Sequence, residues 1–158
     1  MAERDVGVGS MAPDFELQGT DDVPFRLSHQ LSFGPVMLMF YPNDFGIVCS
    51  LQMREFKAME ELKAKVLRPV GISRNSILTH KQWKESMAIP FLLLTDPEGE
   101  VCERYAGLQT SGLLKGMPRR SIFIIGRDGV VRYRWVSSAE GVPLPFEEIR
   151  SAVAGMEL

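Results

Sequence analysis

Cysteine and histidine are both scarce: Cys49, Cys102, His29 and His80 are the only ones in 158 residues. Two thiols are too few for the disulfide scaffold of a small secreted domain, and the four residues show no paired metal-ligand spacing, so no zinc site is expected. An excess of charge is missing too. The 18 basic side chains stand against 20 acidic ones, a formal net charge of -2. That balance leaves no electrostatic footprint for a nucleic-acid backbone or an anionic membrane surface, and neither is an expected partner. No stretch approaches the roughly 18 apolar residues of a membrane span. Met1-Ala2-Glu3-Arg4-Asp5 lacks the basic start and apolar run of a signal peptide, so a cytoplasmic location is expected. There is no repeat, low-complexity tract or linker, and the ten prolines are scattered over turn positions. With hydrophobic residues at 45% and charged residues at 24%, the chain reads as one globular domain over residues 1–158.

The apolar patterns alternate between strand and helix periods. Phe15–Gln18 and Pro24–Leu27 alternate apolar with polar across the turn-rich Gly19-Thr20-Asp21-Asp22, which predicts a small peripheral hairpin. Val36–Tyr41 is a continuous apolar run closed by Pro42-Asn43-Asp44, the pattern of a strand buried on both faces. From Ser50 to about Val66 the stripe Phe56, Met59, Leu62, Val66 predicts a helix, with Arg54, Lys57, Glu60, Glu61 and Lys65 elsewhere on it. Strands at Val70–Ser73 and Phe91–Leu94 flank a helix at Thr79–Met87, an order of βαβαβ type. A short helix over Glu100–Tyr105 follows. Ser121–Ile125 and Val130–Trp135 enclose Asp128-Gly129, a hairpin signal that predicts an antiparallel edge, and Phe146–Ala154 has the spacing of a terminal amphipathic helix. The class is therefore α/β.

Cys49 falls where a buried strand has ended and a helix is beginning. Backbone N–H groups there have no intrahelical partner and favour a thiolate, the reactive form of the side chain. Cys102, inside Val101-Cys102-Glu103-Arg104-Tyr105, has no such placement. Position alone does not make Cys49 a nucleophile, because free cysteines are mostly inert core residues.

Phe40-Tyr41-Pro42-Asn43-Asp44-Phe45-Gly46-Ile47-Val48-Cys49 resembles the active-site loop of the peroxiredoxins, with their Pro-x-x-x-Thr/Ser-x-x-Cys spacing. Further similarity covers nearly the whole chain: Ala12-Pro13-Asp14-Phe15, Ser76 to Trp83 with His80, Phe91 to Asp96, and Arg120–Ile125 before Asp128-Gly129. The resemblance implies a thioredoxin-like three-layer sandwich with a central mixed sheet and an N-terminal β-hairpin. It also implies a thiol peroxidase, with Cys49 attacking hydrogen peroxide or an organic hydroperoxide and becoming a sulfenic acid, and no metal, haem or flavin. Arg120 matches the family arginine that holds the peroxide and favours the thiolate, and Gln52 the residue that orients it. Pro42 would shield the sulfur, and the backbone N–H groups of Val48 and Cys49 would point at the substrate. Gly46 departs from the family: the hydroxyl three residues before the cysteine is absent, and restoring it as threonine is expected to raise reactivity if the site is a weakened one.

No cysteine stands at position 54, where relatives can hold a resolving thiol; that residue is Arg54. The helix with Lys84 and Glu85 has none, and none is expected beyond the last helix. Cys102 is the remaining candidate resolving thiol, against its alternative as a small core cysteine. The expected scheme is one-Cys, with a thioredoxin-like protein or a low-molecular-weight thiol as reductant, and a homodimer is compatible with the resemblance. Two further readings stand beside it. One is a monothiol disulfide oxidoreductase, disfavoured by the absence of Cys-x-x-Cys; the other is a non-catalytic redox sensor or binding protein, motivated by Gly46. His80 and Trp83 read as helix packing and are left outside the expected site. Met37 and Met39 read as core. Arg132-Tyr133-Arg134-Trp135 reads as an edge strand with one solvated face rather than a nucleic-acid surface.

Overall fold

In the computed structural model, which describes residues 6–57, 59, 62, 65–139 and 142–158, the hairpin forms first, as β1 (Glu16–Gly19) and β2 (Pro24–Arg26). After the short α1 (Leu27–Gln30) come β3 (Val36–Phe40), α2 (Ile47–Lys57), β4 (Arg68–Ser73), α3 (Ile77–Met87) and β5 (Leu92–Thr95). Then α4 (Glu100–Tyr105) leads to β6 (Ser121–Ile125), β7 (Val131–Val136) and α5 (Phe146–Gly155). Among the described residues the strands form one seven-stranded sheet in the order β2-β1-β5-β4-β3-β6-β7. β3, β4 and β5 are parallel, as expected of strands joined through helices. The β6–β7 hairpin adds antiparallel strands at one side and β1–β2 at the other, so the sheet is mixed.

The continuous apolar run of β3 follows from burial on both faces. Met37, Met39 and Tyr41 point into one core with Cys49, Met53 and Phe56 of α2, Trp83 of α3, and Ile149 and Val153 of α5. Val36, Leu38 and Phe40 point into the other, with Leu27 of α1 and Cys102 and Tyr105 of α4. Side chains alternate along a strand, so a sheet covered by helices on both faces needs apolar residues at every position of its central strand. The result is the expected three-layer sandwich. Gly71 of β4 leaves room for the side chains packed on it: a Cβ there would stand 2.7 Å from Leu93 Cδ2, 3.2 Å from the Tyr41 ring and 3.3 Å from Met53 Cε.

Element boundaries differ from the sequence expectation at helix starts. α2 begins at Ile47 rather than Ser50, so Cys49 lies inside the first helical turn. α3 begins at Ile77, capped by Ser76, whose Oγ accepts from Thr79 N at 3.2 Å. The predicted continuation of the first long helix to about 66 includes residues 58, 60, 61, 63 and 64, which lie outside the described residues. Lys65 and Val66 form a turn, with Val66 at φ 55°.

Candidate active site

The pairing of strands assembles the site before any side chain is considered. Parallel β3 and β4 end together, with Phe40 opposite Ile72. β6 runs antiparallel to β3, with Ser121 opposite Phe40, so the residue preceding β6 arrives where β3 stops. That residue is Arg120. The chain leaving β3 turns through Pro42–Gly46 into α2, and Ser50 N donates the first helical bond to Gly46 O at 2.8 Å. The N–H groups of Gly46, Ile47, Val48 and Cys49 precede that bond and have no intrahelical acceptor, so they place partial positive charge around the Cys49 backbone.

Cys49 is 2% exposed. Arg120 Nη2 donates to its Sγ at 3.3 Å, while Nη1 donates to Gln52 Oε1 at 2.5 Å. Gln52 lies one turn beyond Cys49 on the same helix face, so a single guanidinium spans both side chains. All three are buried. A neutral amide at 52 orients the guanidinium without neutralising it, so the charge of Arg120 acts on the sulfur undiminished. The Gln52 orientation is set by chemistry, since only Oε1 can accept from Arg120; its Nε2 is buried and finds no partner among the described residues.

A second network fixes the loop. Tyr41 hydroxyl donates to Asp44 Oδ1 at 2.7 Å, and His80 Nδ1 lies 2.6 Å from Asp44 Oδ2. His80 Nε2 donates to Leu94 O at 2.9 Å, and Asp44 N donates to Asn75 Oδ1 at 2.8 Å. Because the Leu94 carbonyl can only accept, His80 carries its proton on Nε2, and the Nδ1–Asp44 contact then holds one further shared proton. Burial and the neighbouring Asp44 carboxylate push the Tyr41 hydroxyl well above the usual phenol range, so it stays a donor. Trp83 Nε1, one turn beyond His80, donates to Ser50 Oγ at 3.2 Å. The helix that sequence reasoning set aside as packing therefore grips the loop on both sides of Cys49. Phe45, held between the two grips at φ 64°, is a non-glycine residue in the left-handed region.

Residues 8–134 match the AhpC/TSA family. The chain is 33% identical over 129 residues to a chloroplastic peroxiredoxin Q of Oryza sativa subsp. japonica, a match covering 81% of this chain and 58% of that protein. It is 30% identical over 147 residues to a chloroplastic 2-cysteine peroxiredoxin of Chattonella marina var. antiqua, covering 84% and 72%. The crystal structure of the peroxidoxin BcpB from Mycobacterium tuberculosis superposes with a TM-score of 0.81 at 27% identity, over 96% of this chain and 98% of that one. The chain belongs to the AhpC/TSA family, the peroxiredoxins. It spans little more than half the length of the rice relative.

Of the residues singled out from sequence, this peroxiredoxin brings Cys49, Arg120 and Gln52 into direct contact. Pro42 is buried at the loop start, Val48 is exposed beside the thiol, and Gly46 is half-buried, with the position of an added Cβ 3.5 Å from Sγ. Cys102 is not brought to the site. It is fully buried in the opposite core, with the sheet between it and Cys49. Burial, and then the nearby Asp96 carboxylate, push its thiol far above the ordinary range. Among the described residues no cluster of three or more His, Cys, Asp or Glu forms a metal site. No helix among them is long and apolar enough to cross a membrane. Asn43 was not singled out at all; its position between Pro42 and Asp44 in the loop was the available signal.

Proposed function

We propose that the chain is a thiol-dependent peroxidase acting on hydrogen peroxide or organic hydroperoxides through Cys49. The observation that carries this is the Arg120 guanidinium held between Gln52 Oε1 and Cys49 Sγ. A thiolate beside a fixed cation and the start of a helix is stabilised and desolvated at once, the arrangement an attacking sulfur needs. The sulfur displaces on one peroxide oxygen, the O–O bond breaks, and the bonding pair leaves on the distal oxygen. Cys–S⁻ and ROOH become Cys–SOH and RO⁻, which takes a proton to leave as water or an alcohol. Arg120 and the N–H groups of Val48 and Cys49 are the donors that stabilise the developing negative charge.

Regeneration follows a one-Cys scheme in this reading. An external thiol attacks the sulfenic acid, releasing water and forming a mixed disulfide, and a second thiol frees Cys49. The placement of Cys102 across the sheet supports an outside reductant, a thioredoxin-like protein or a low-molecular-weight thiol. A reducing compartment such as the cytoplasm supplies one. A homodimer belongs to the same reading through the family likeness.

Stopped-flow oxidation of the reduced protein by hydrogen peroxide and by an organic hydroperoxide, with intact mass as readout, tests the proposal. The expected product is one added oxygen, absent in Cys49→Ser. A rate no faster than that of a free cysteine would overturn it, and a Cys49–Cys102 disulfide would overturn the one-Cys scheme.

A further inference from the structure

We infer that the side chain of Asn43 binds the peroxide beside Cys49, supplying the hydrogen-bonding group that Gly46 lacks. The inference rests on the peroxidase reading above and adds a residue to it. A Cβ built on Gly46 would stand 3.5 Å from Cys49 Sγ and 2.9 Å from Asn43 Oδ1. Asn43 Oδ1 and Cys49 Sγ therefore both border the space that a side chain at 46 would fill. It makes no hydrogen bond to the described residues, in contrast to Tyr41, Asp44, Asn75 and His80 around it. Asn43 and Gly46 are both half-buried, next to a thiol that is otherwise enclosed.

The chemistry of the step asks for such a group. In HO–OR the oxygen that sulfur attacks carries a hydrogen, and that hydrogen needs an acceptor as the O–O bond lengthens. The side chain and backbone groups at the site, Arg120 and the first N–H groups of α2, are donors. Asn43 Oδ1, bordering the same space as Sγ, is an acceptor, and its Nδ2 offers a donor to the second oxygen. Glycine at 46 and asparagine at 43 then form one device, because a side chain at 46, with its Cβ 2.9 Å from Asn43 Oδ1, would push the carboxamide out of its present position.

The test compares wild type with Asn43→Ala, Gly46→Thr and the double variant. Two rates are measured: Cys49 oxidation by hydrogen peroxide, and Cys49 alkylation by iodoacetamide, which reports thiolate reactivity without a peroxide to bind. Asn43→Ala is expected to slow oxidation by about ten- to a hundredfold while leaving alkylation within a factor of about two. Gly46→Thr alone is expected to bring no gain, since its Cβ meets Asn43. The double variant is expected to recover most of the lost rate, which also shows that the loop still folds. Unchanged oxidation in Asn43→Ala, or equal slowing of both reactions, overturns the inference. The wild-type rate judges the peroxidase reading separately: if it is no faster than a free thiol, that reading falls and takes this inference with it.

Discussion

Asp44 and His80 meet at 2.6 Å with neither side chain exposed, one from the loop before α2 and the other from α3. A buried polar pair is a weak source of net stability, yet removing one member strands the other without water. Here the stranded group would sit under the loop that carries Cys49. Asp44→Asn is therefore expected to lower unfolding free energy by about 3 kcal/mol, measured by urea denaturation. Hydrogen exchange over residues 42–50 is expected to accelerate more than exchange in β3. An unchanged denaturation midpoint would show that the pair does not hold the loop.

Arg120 is the one cation in hydrogen-bonding contact with Cys49 Sγ among the described residues, and its two terminal nitrogens are used for two different partners. Lysine cannot reproduce that fork. Arg120→Met and Arg120→Lys are both expected to slow peroxide oxidation of Cys49, by about a hundredfold or more for Met, with Lys recovering only part. Recovery to wild-type rate by Lys would mean that charge alone matters and the Gln52 bridge does not.

Gln52→Glu changes a single atom type but gives Arg120 a full counter-charge next to the sulfur. The guanidinium is then shared between two anions, and a second negative group faces the thiolate. Alkylation of Cys49 at neutral pH is expected to slow several-fold, and added salt to leave most of that difference in place, because the three side chains are buried. Faster alkylation would show that Gln52 leaves Arg120 poorly placed.

The parts of the site legible in the sequence are those fixed by chain position. The place of Cys49, after an apolar strand and at a helix start, follows from the pattern, whereas Arg120 and Gln52 were marked by the resemblance to the peroxiredoxins; antiparallel pairing of β3 with β6 then brings Arg120 to Cys49. The bond of His80 to Asp44 was not legible, because a buried histidine on an apolar helix face looks the same from sequence whether it packs or anchors; only the fold brings it to Asp44, 36 residues earlier. Asn43 was invisible for a related reason. Loop residues have no period, so the direction of its side chain towards the space above Gly46 depends on backbone geometry that composition does not encode. The helix starts moved because sequence periodicity marks where apolar stripes begin, whereas capping and the first turn precede them.

Cys102 gives the last prediction, and its sign can be worked out. Its thiol is raised by burial and by Asp96, so the folded state keeps the proton at a pH where the unfolded chain, with a thiol near 8.5, has lost it. The unfolded state then binds fewer protons, and stability must fall as pH rises. The contribution is fully present below about pH 8.5 and is lost above it, at about 1.4 kcal/mol per pH unit for one proton. Tyr133, raised to about 12 chiefly by burial and then by Glu148, adds to the loss only above the usual phenol value near 10. Between pH 8.5 and 10, denaturation of Cys102→Ala is therefore expected to show a shallower decline than wild type, by about one proton's worth of slope. In the same range Cys102 should resist iodoacetamide in the folded protein and react once urea unfolds it. Equal slopes, or alkylation of the folded protein at Cys102, would show that this thiol reaches water and would return it to contention as a resolving partner for Cys49.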